Sequence, residues 1–354
     1  MSAGSEEDGA IVERVRTALG AGRPLAIRGG GTRGAWHRPA AADAVELDMR
    51  GHRGIVAHEP TEVVVTARAG TPLEELETIL AGHDQMLPFD PPRFGPGSTL
   101  GGAVASGLSG PARPWLGALR DAVLGVRLVD GRGQYCRFGG EVMKNVAGYD
   151  LSRLQAGAFG TLGVLLDVSL RVRARPACTR TRILELGLGA TLARMVALGR
   201  RPLPITGLAW TGGLLHVRLA GAPEGVAAAA ETIGGEEVAD DDFWRRLRDL
   251  ELEGLGEAGA PLWRLSLPFD APQPDFPANW VIDWGGAQRW CLTDTAPARV
   301  LEAARALGGH ARRVRPGPLA TAPAPAVAAL EARVRASLDP DGRLNPGVMD
   351  LTDD

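Results

Sequence analysis

The chain has 354 residues, 45% hydrophobic, 23% charged and 5% aromatic, with a formal net charge of -3, which suits one large or two ordinary globular domains with a sizeable core. Gly 48 and Pro 26 make up about a fifth of the chain, too few for low-complexity disorder and without a collagen period, so they point to many turns. The near-neutral balance gives no general attraction to phosphate polymers and argues against nucleic acid as a partner.

The N-terminal stretch MSAGSEEDGAIVERVR is acidic where an export signal would be basic and then apolar, so the expected location is cytoplasmic. Residues 11–20 read as an amphipathic helix, and 25–28 as a short apolar strand running into Gly29, Gly30 and Gly31. Strands over 45–49 and 63–67 follow, then a helix over 72–81 with Thr71 as its N-cap and Glu74 and Glu75 in its first turn. The segment 94–113, FGPGSTLGGAVASGLSGPAR, is too rich in Gly and Ser for a packed helix throughout and too apolar for a solvated linker; its backbone is expected to lie against something flat. A strand over 123–129 turns at Asp130 and Gly131, and an alternating strand spans 164–172. The longest apolar run, 154–166, stops at Asp167 and is short of the roughly 18 residues of a membrane span. After a boundary near 173–176, strands over 181–186, 205–210 and 214–219 alternate with Ala-rich helices near 190–199 and 222–233, the rhythm of a small α+β layer domain. A helix near 325–338 precedes the tail LDPDGRLNPGVM. Trp280, Trp284 and Trp290 read as core or domain-interface packing or else a partner-binding surface, and the arginines at 171–182 and 312–315 as solvated faces or else a docking or membrane-surface patch.

Gly29, Gly31 and Gly34 spell GxGxxG after a strand, which raises a nicotinamide-binding Rossmann turn. That turn must open a helix, however, and here Gly34 is followed by AWHRP, whose Pro39 and lack of apolar periodicity oppose one. Lys144 lies between Met143 and Asn145 and closes no Walker loop. Consecutive glycines can still turn successive backbone N–H groups inward as an anion nest, flanked by Arg28 and Arg33. The basic residues are Arg everywhere except Lys144, and the asparagines are Asn145, Asn279 and Asn345. Such exceptions mark positions where a compact ammonium or a neutral amide is wanted. Cys136, Cys178 and Cys291 are odd in number, far apart and without a CxxC pair, so neither a disulfide framework nor an iron-sulfur cluster held by this chain alone is expected. No metal site is expected either: His37, His52, His58, His83, His216 and His310 show no HxH or HxxxH spacing.

Four segments in order, AIRGGGTRG, FGPGSTLGGAVASG, MKNVAGYDLSRLQAGAFGTLGV and DPDGRLNPG, resemble the FAD-binding segments of the vanillyl-alcohol oxidase and p-cresol methylhydroxylase flavoproteins. Within that family the third segment is most similar to the FAD-binding subunits of bacterial glycolate oxidase (glycolate dehydrogenase). The resemblance covers 25–176 and the tail, while the middle of the chain matches only in general layout. It implies an α+β fold: a two-subdomain PCMH-type FAD-binding domain over 1–176, a small α+β cap domain over 177–337, and a tail over 338–354 that returns to the flavin.

The resemblance also implies roles. Arg28, Gly29, Gly30, Gly31, Thr32 and Arg33 match the loop that cradles the diphosphate. Gly95, Pro96, Gly97, Ser98, Thr99, Leu100, Gly101 and Gly102, with Ser106, match the stretch along the diphosphate and flavin. Gly160, Thr161, Leu162, Gly163 and Val164 match backbone presented to the flavin and adenosine side, and Asn345 an amide near the cofactor. Lys144, Asn145, Tyr149 and Asp150 are read either as polar groups beside the flavin or as a buried structural knot.

Two departures from the family carry weight. Some members tether FAD through a His after the first glycine pair, but this loop reads Gly31, Thr32, Arg33, so non-covalent FAD is expected. The hydroxyacid-oxidising members carry a HxGDGNxH signature that is missing here. No catalytic residue is therefore assigned, since neither a general base nor a carboxylate clamp stands out. The resemblance implies an assembly with a related FAD-containing catalytic subunit and an iron-sulfur subunit, which oxidises glycolate, a small 2-hydroxy acid, to glyoxylate and passes electrons toward quinone. Any membrane contact is expected only through those partners. A free-standing FAD-dependent 2-hydroxy acid oxidoreductase and a flavin-free structural subunit are the competing readings.

Overall fold

A computed structural model describes residues 6–140, 150–238, 242–255 and 261–350. The contacts of the described residues fall into two compact units, one within 6–108, 118–175 and 322–350, the other within 109–117 and 176–321. Two segments fall elsewhere than expected: 109–117 joins the second unit, and 322–337, with its helix Pro325–Leu338, joins the first. Among the described residues no helix is long and apolar enough to cross a membrane.

In the first unit five antiparallel strands run in the order Ile55–Glu59, Val64–Arg68, Val164–Arg171, Val123–Val129, Tyr135–Gly139. The central strand, Val164–Arg171, is buried along all but its last residue, as a strand packed on both faces must be. Its Leu165, Val168 and Leu170 enter a core with Leu73, Leu76 and Leu80 of the helix Leu73–Ala81. Its Val164 and Leu166 enter a second core with Val15 and Leu19 of the helix Glu6–Gly20, Leu25, Leu47 and Leu344. Asp167, in the same strand, is ion-paired with Arg127, and burial pushes its carboxyl above the ordinary range. Two shorter strands, Leu25–Arg28 and Val45–Asp48, pair in parallel. The tail adds a parallel bridge from Leu344 to Leu25.

Thr71 does not cap the helix that follows it. Its Oγ1 accepts from the N–H of Gly54 at 2.9 Å and donates to the Gly54 carbonyl at 3.2 Å, so Pro72 occupies the N-cap position without a side-chain bond. Glu74 and Glu75 are in the first turn as expected.

The second unit is built on nine antiparallel strands in the order Glu236–Val238, Cys178–Glu185, Leu214–Gly221, Ile205–Thr211, Asn279–Asp283, Gln288–Leu292, Leu262–Ser266, His310–Arg315, Leu319–Ala320. Two halves meet at a single pairing, Trp210 with Ile282. The first half buries Leu208, Leu215, Val217 and Leu219 against the helices Leu188–Gly199 and Pro223–Ile233. The second packs Trp263, Leu265, Cys291 and Ala311 against Val300 and Ala304 of the helix Pro297–Ala306. Of the tryptophans, Trp284 and Trp290 are buried, while Trp280 is partly buried against both cores.

Candidate functional site

A cavity of about 350 Å³ opens in the first unit where the strand Leu25–Arg28 runs into its glycine loop. Of the residues expected at the cofactor, Arg28, Gly29, Gly30, Gly31, Thr32, Arg33, Thr99, Gly101, Gly102, Ser106, Gly160, Gly163 and Asn345 line it. Chain segments far apart in sequence therefore converge on one concavity. After Gly34 the backbone makes only a single 3-10 turn, Gly34–Trp36, anchored by the buried Trp36 ring tilted against Phe94 at 5.7 Å. The long helix of a dinucleotide-binding Rossmann turn is not formed there.

The glycines are needed because backbone approaches backbone. A Cβ on Gly30 would stand 1.9 Å from the carbonyl oxygen of Gly97, and one on Gly29 2.4 Å from Thr99 Oγ1. Gly31 has φ +71, which glycine adopts without strain. The loop thus lies directly on the 97–99 segment and leaves its other side to the cavity.

Arg33 and Arg28 divide the work expected of both. Arg33 is buried, 7% exposed, and its guanidinium donates to Ser106 Oγ at 3.0 Å, Ser98 Oγ at 2.7 Å, Thr32 Oγ1 at 3.2 Å and the Pro92 carbonyl at 2.6 Å. It fastens the glycine loop to the segment carrying Ser98 and Ser106. Arg28 is exposed and ion-paired with Glu46 at 3.2 Å, and its guanidinium lies beside Gly31. It is the charged group at the rim.

Asn345 closes the opposite wall. Its Oδ1 accepts from the Ile27 N–H at 2.7 Å and its Nδ2 donates to the Phe159 carbonyl at 2.7 Å, so one amide ties the tail to the first strand and to the 159–163 turn. A Cβ on Gly160 would meet Asn345 Nδ2 at 2.7 Å. Asn345 itself holds φ 45, a left-handed conformation that Asn tolerates better than most residues.

The other expected residues stand behind this wall or away from it. Leu100 and Val164 are fully buried in the two cores, and Ser98, Thr161 and Leu162 are buried as well. Thr161 Oγ1 donates to the Ala158 carbonyl at 2.7 Å. Gly95 (φ +125) and Gly97 (φ +76) shape the turn next to exposed Pro96. Asp150 is exposed, accepts from the N–H of Arg153 at 3.2 Å as N-cap of the short helix Leu151–Leu154, and is ion-paired with the Arg153 side chain. Lys144, Asn145 and Tyr149 lie outside the described residues. Among the described residues no cluster of His, Cys, Asp or Glu has the makings of a metal site.

Sequence reasoning missed part of the lining: Ala26, Met49, Ala69, Ala105, Phe159 and Leu165 give it an apolar wall, with His37 and Glu46 at hand. His37 stacks edge-on to Phe159 at 5.6 Å. The alternation of Val45, Glu46 and Leu47 carried a signal for Glu46, because Leu47 must turn inward and Glu46 outward. Glycine backbone, a rim guanidinium and an apolar wall suit a ligand that has both an anionic part and a flat apolar part.

Comparison with known proteins gives a consistent picture. The FAD binding domain family matches residues 3–139. The chain is 45% identical to glycolate oxidase subunit GlcE of Escherichia coli over 341 residues, which is 96% of each chain. It is 37% identical to glycolate oxidase subunit GlcD of Bacillus subtilis, over only 84 residues, 24% of this chain and 18% of that one. In fold it is similar to an alkyldihydroxyacetonephosphate synthase, with a TM-score of 0.69 at 15% identity, covering 95% of this chain and 74% of the other.

Proposed function

Because the chain belongs to the GlcE family of glycolate oxidase subunits, we propose that it is a flavoprotein subunit that takes part in oxidising glycolate to glyoxylate and hands the electrons to partner subunits. The observation that carries this reading is the extent of the similarity to GlcE, which runs through both compact units and not through the glycine motifs alone. FAD, when bound, supplies the two-electron acceptor for the C–H next to the substrate hydroxyl.

The chain's own residues act by binding and positioning. The backbone of Gly29, Gly30 and Gly31 and the rim guanidinium of Arg28 would hold the diphosphate. Thr99, Gly101, Gly102, Ser106, Gly160 and Gly163 would let the cofactor lie close to the chain. Arg33 keeps the loop in place from behind, and Asn345 fixes the far wall. Attachment is non-covalent, in keeping with a loop that reads Gly31, Thr32, Arg33. The partners are a related FAD-containing catalytic subunit and an iron-sulfur subunit, and any association with the membrane runs through them. The word "subunit" in the relative's name supports the general part of this reading.

The test is a visible absorption spectrum of the purified full chain supplied with FAD, followed by anaerobic glycolate with and without its co-purified partners. The expected result is a flavin spectrum, flavin released by acid precipitation, and bleaching that is complete with the partners present. A colourless chain, or flavin that glycolate never reduces in either preparation, overturns the reading.

A further inference from the structure

The polar side chains around the cavity of the first unit are mostly committed within the chain. Arg28 is ion-paired with Glu46, and Thr32 and Ser106 accept from the Arg33 guanidinium. Thr99 Oγ1 accepts from the Gly102 N–H at 3.2 Å, and the Asn345 amide is engaged through both its oxygen and its nitrogen. The lining residue His37 differs. It follows the 3-10 turn Gly34–Trp36 with extended backbone, φ -148 and ψ 161, and is half-buried.

Two contacts fix its ring. Nδ1 lies 2.7 Å from the Arg38 carbonyl oxygen, and the ring stands edge-on to Phe159. The next residue is fastened in turn, because the Arg38 N–H donates to the Val348 carbonyl at 3.2 Å. A carbonyl oxygen only accepts, so the hydrogen of the neutral imidazole is on Nδ1 and Nε2 carries a lone pair. Among the described residues no hydrogen bond of the chain engages that nitrogen. The ring is set to accept at Nε2, not to donate.

That chemistry complements the rest of the wall. The glycine backbone and Arg28 supply donors for an anion. A dinucleotide also carries hydroxyl and amine hydrogens, and burying one of these without an acceptor costs affinity. The charged groups around the cavity are Arg28 and Glu46 on the two paired strands, Arg33 in the loop and Arg38 beside the histidine, while the turn 159–163 and the tail segment 344–348 carry none. His37 is therefore the group at this wall whose hydrogen-bonding sense changes when a proton is added near neutral pH.

We propose that His37 Nε2 accepts a hydrogen bond from a hydroxyl or amine of bound FAD, outside its diphosphate, and that this contact makes retention of the cofactor sensitive to acid. FAD as the ligand rests on the function proposed above. Protonation places a hydrogen on Nε2, so a donor then faces a donor and the contact is lost. Facing the diphosphate instead, the protonated ring would gain a charge-assisted bond and acid would strengthen binding. The two arrangements give opposite signs.

The experiment titrates FAD into the full chain freed of flavin, following flavin fluorescence, from about pH 8 to about pH 5, the range over which histidine changes charge. The wild-type affinity is expected to fall about 10-fold toward acid. His37→Asn keeps an amide that can reach the Arg38 carbonyl but has no atom at the Nε2 position, so it should bind about 2- to 10-fold more weakly at the alkaline end and show a flatter profile. His37→Gln, whose amide oxygen can reach the Nε2 position, should regain affinity and lack the loss in acid. His83→Asn, an exposed histidine away from the cavity, is expected to change neither. Titrating His37→Asn with ADP and with FMN tells a donor on the adenosine half from one on the flavin half. Wild-type affinity and profile in His37→Asn, or an affinity that rises in acid in the wild type, overturns the proposal. Anaerobic glycolate added to the loaded protein with its co-purified partners reports on the proposed function separately: flavin that is never reduced counts against that reading alone, and a chain that takes up no FAD overturns both.

Discussion

In the first unit nearly half of the cavity's lining is glycine and alanine, with shape set by turns such as that at Gly31 and by backbone packed on backbone at Gly30 and Gly97. In the second unit the polar sheet face is made of side chains, with Arg264 and Arg312 brought side by side by strand register. Backbone-built sites fail when a side chain is added, because nothing can move aside. A face built of side chains changes its charge when one of them is replaced, and the fold around it survives. The two units are expected to respond to mutation in opposite ways, and four measurements test this.

The largest effect on stability is expected in the second unit. Trp263 is fully buried, and Trp263→Ala should cost about 3–5 kcal/mol in denaturant unfolding. Flavin content per folded chain is expected to hold. If flavin disappears along with the lost stability, unfolding of the second unit carries the cavity of the first with it. Gly30→Ala should cost less stability and most of the flavin: the added methyl meets the Gly97 carbonyl, the loop has to lift, and FAD affinity should fall about 5- to 150-fold, since such overpacking is worth about 1–3 kcal/mol. A Gly30→Ala protein that purifies as yellow as the wild type would break the comparison on the first side.

Asn345→Ala removes two hydrogen bonds at once, to Ile27 and Phe159, and leaves alanine with a positive φ. A loss of about 2 kcal/mol is expected, read as a lower unfolding midpoint with weakened flavin retention. Asn345→Gly relieves the backbone but not the missing bonds, so comparing the two variants separates strain from hydrogen bonding.

The smallest effect concerns pH. His52 is buried and 3.5 Å from Asp8, and burial holds its imidazole below the ordinary range, with Asp8 pulling the other way and Arg68 adding to the depression. The unfolded chain therefore takes up a proton near its ordinary pKa that the folded chain does not, so the stabilisation is complete above that pKa and declines as pH falls through it. Unfolding free energy should drop as pH is lowered below about 6.5, and His52→Gln should flatten that part of the profile. An unchanged slope in the variant would assign the acid sensitivity to other groups.

How much was legible in the sequence follows the same division. The strand Leu25–Arg28 and its glycine loop are local features, so the residues alone pointed to them. The amide at Asn345 was legible from the scarcity of asparagine and from the family motif, but its partners at Ile27 and Phe159 were not, because they lie far away in the chain. The helix after Thr71 was legible, but its cap was not. Thr71 has the right chemistry, yet Gly54, delivered by the fold, offers both a donor and an acceptor and takes the hydroxyl. The pairing of Arg312 with Arg264 was not legible: 312–315 read as a solvated face or a docking or membrane-surface patch, and only the register of two strands shows that Arg312 stands beside Arg264. Alternation within one strand gives the face of a residue but never its neighbours across the sheet.

The bridge from Leu344 to Leu25 and the clasp of Asn345 mean that the first unit is assembled from both sides of the second. On the ribosome, Asn345 emerges only after the whole of 176–321 has been synthesised. A prematurely terminated product therefore lacks one wall of the cavity, whatever the state of its remaining parts.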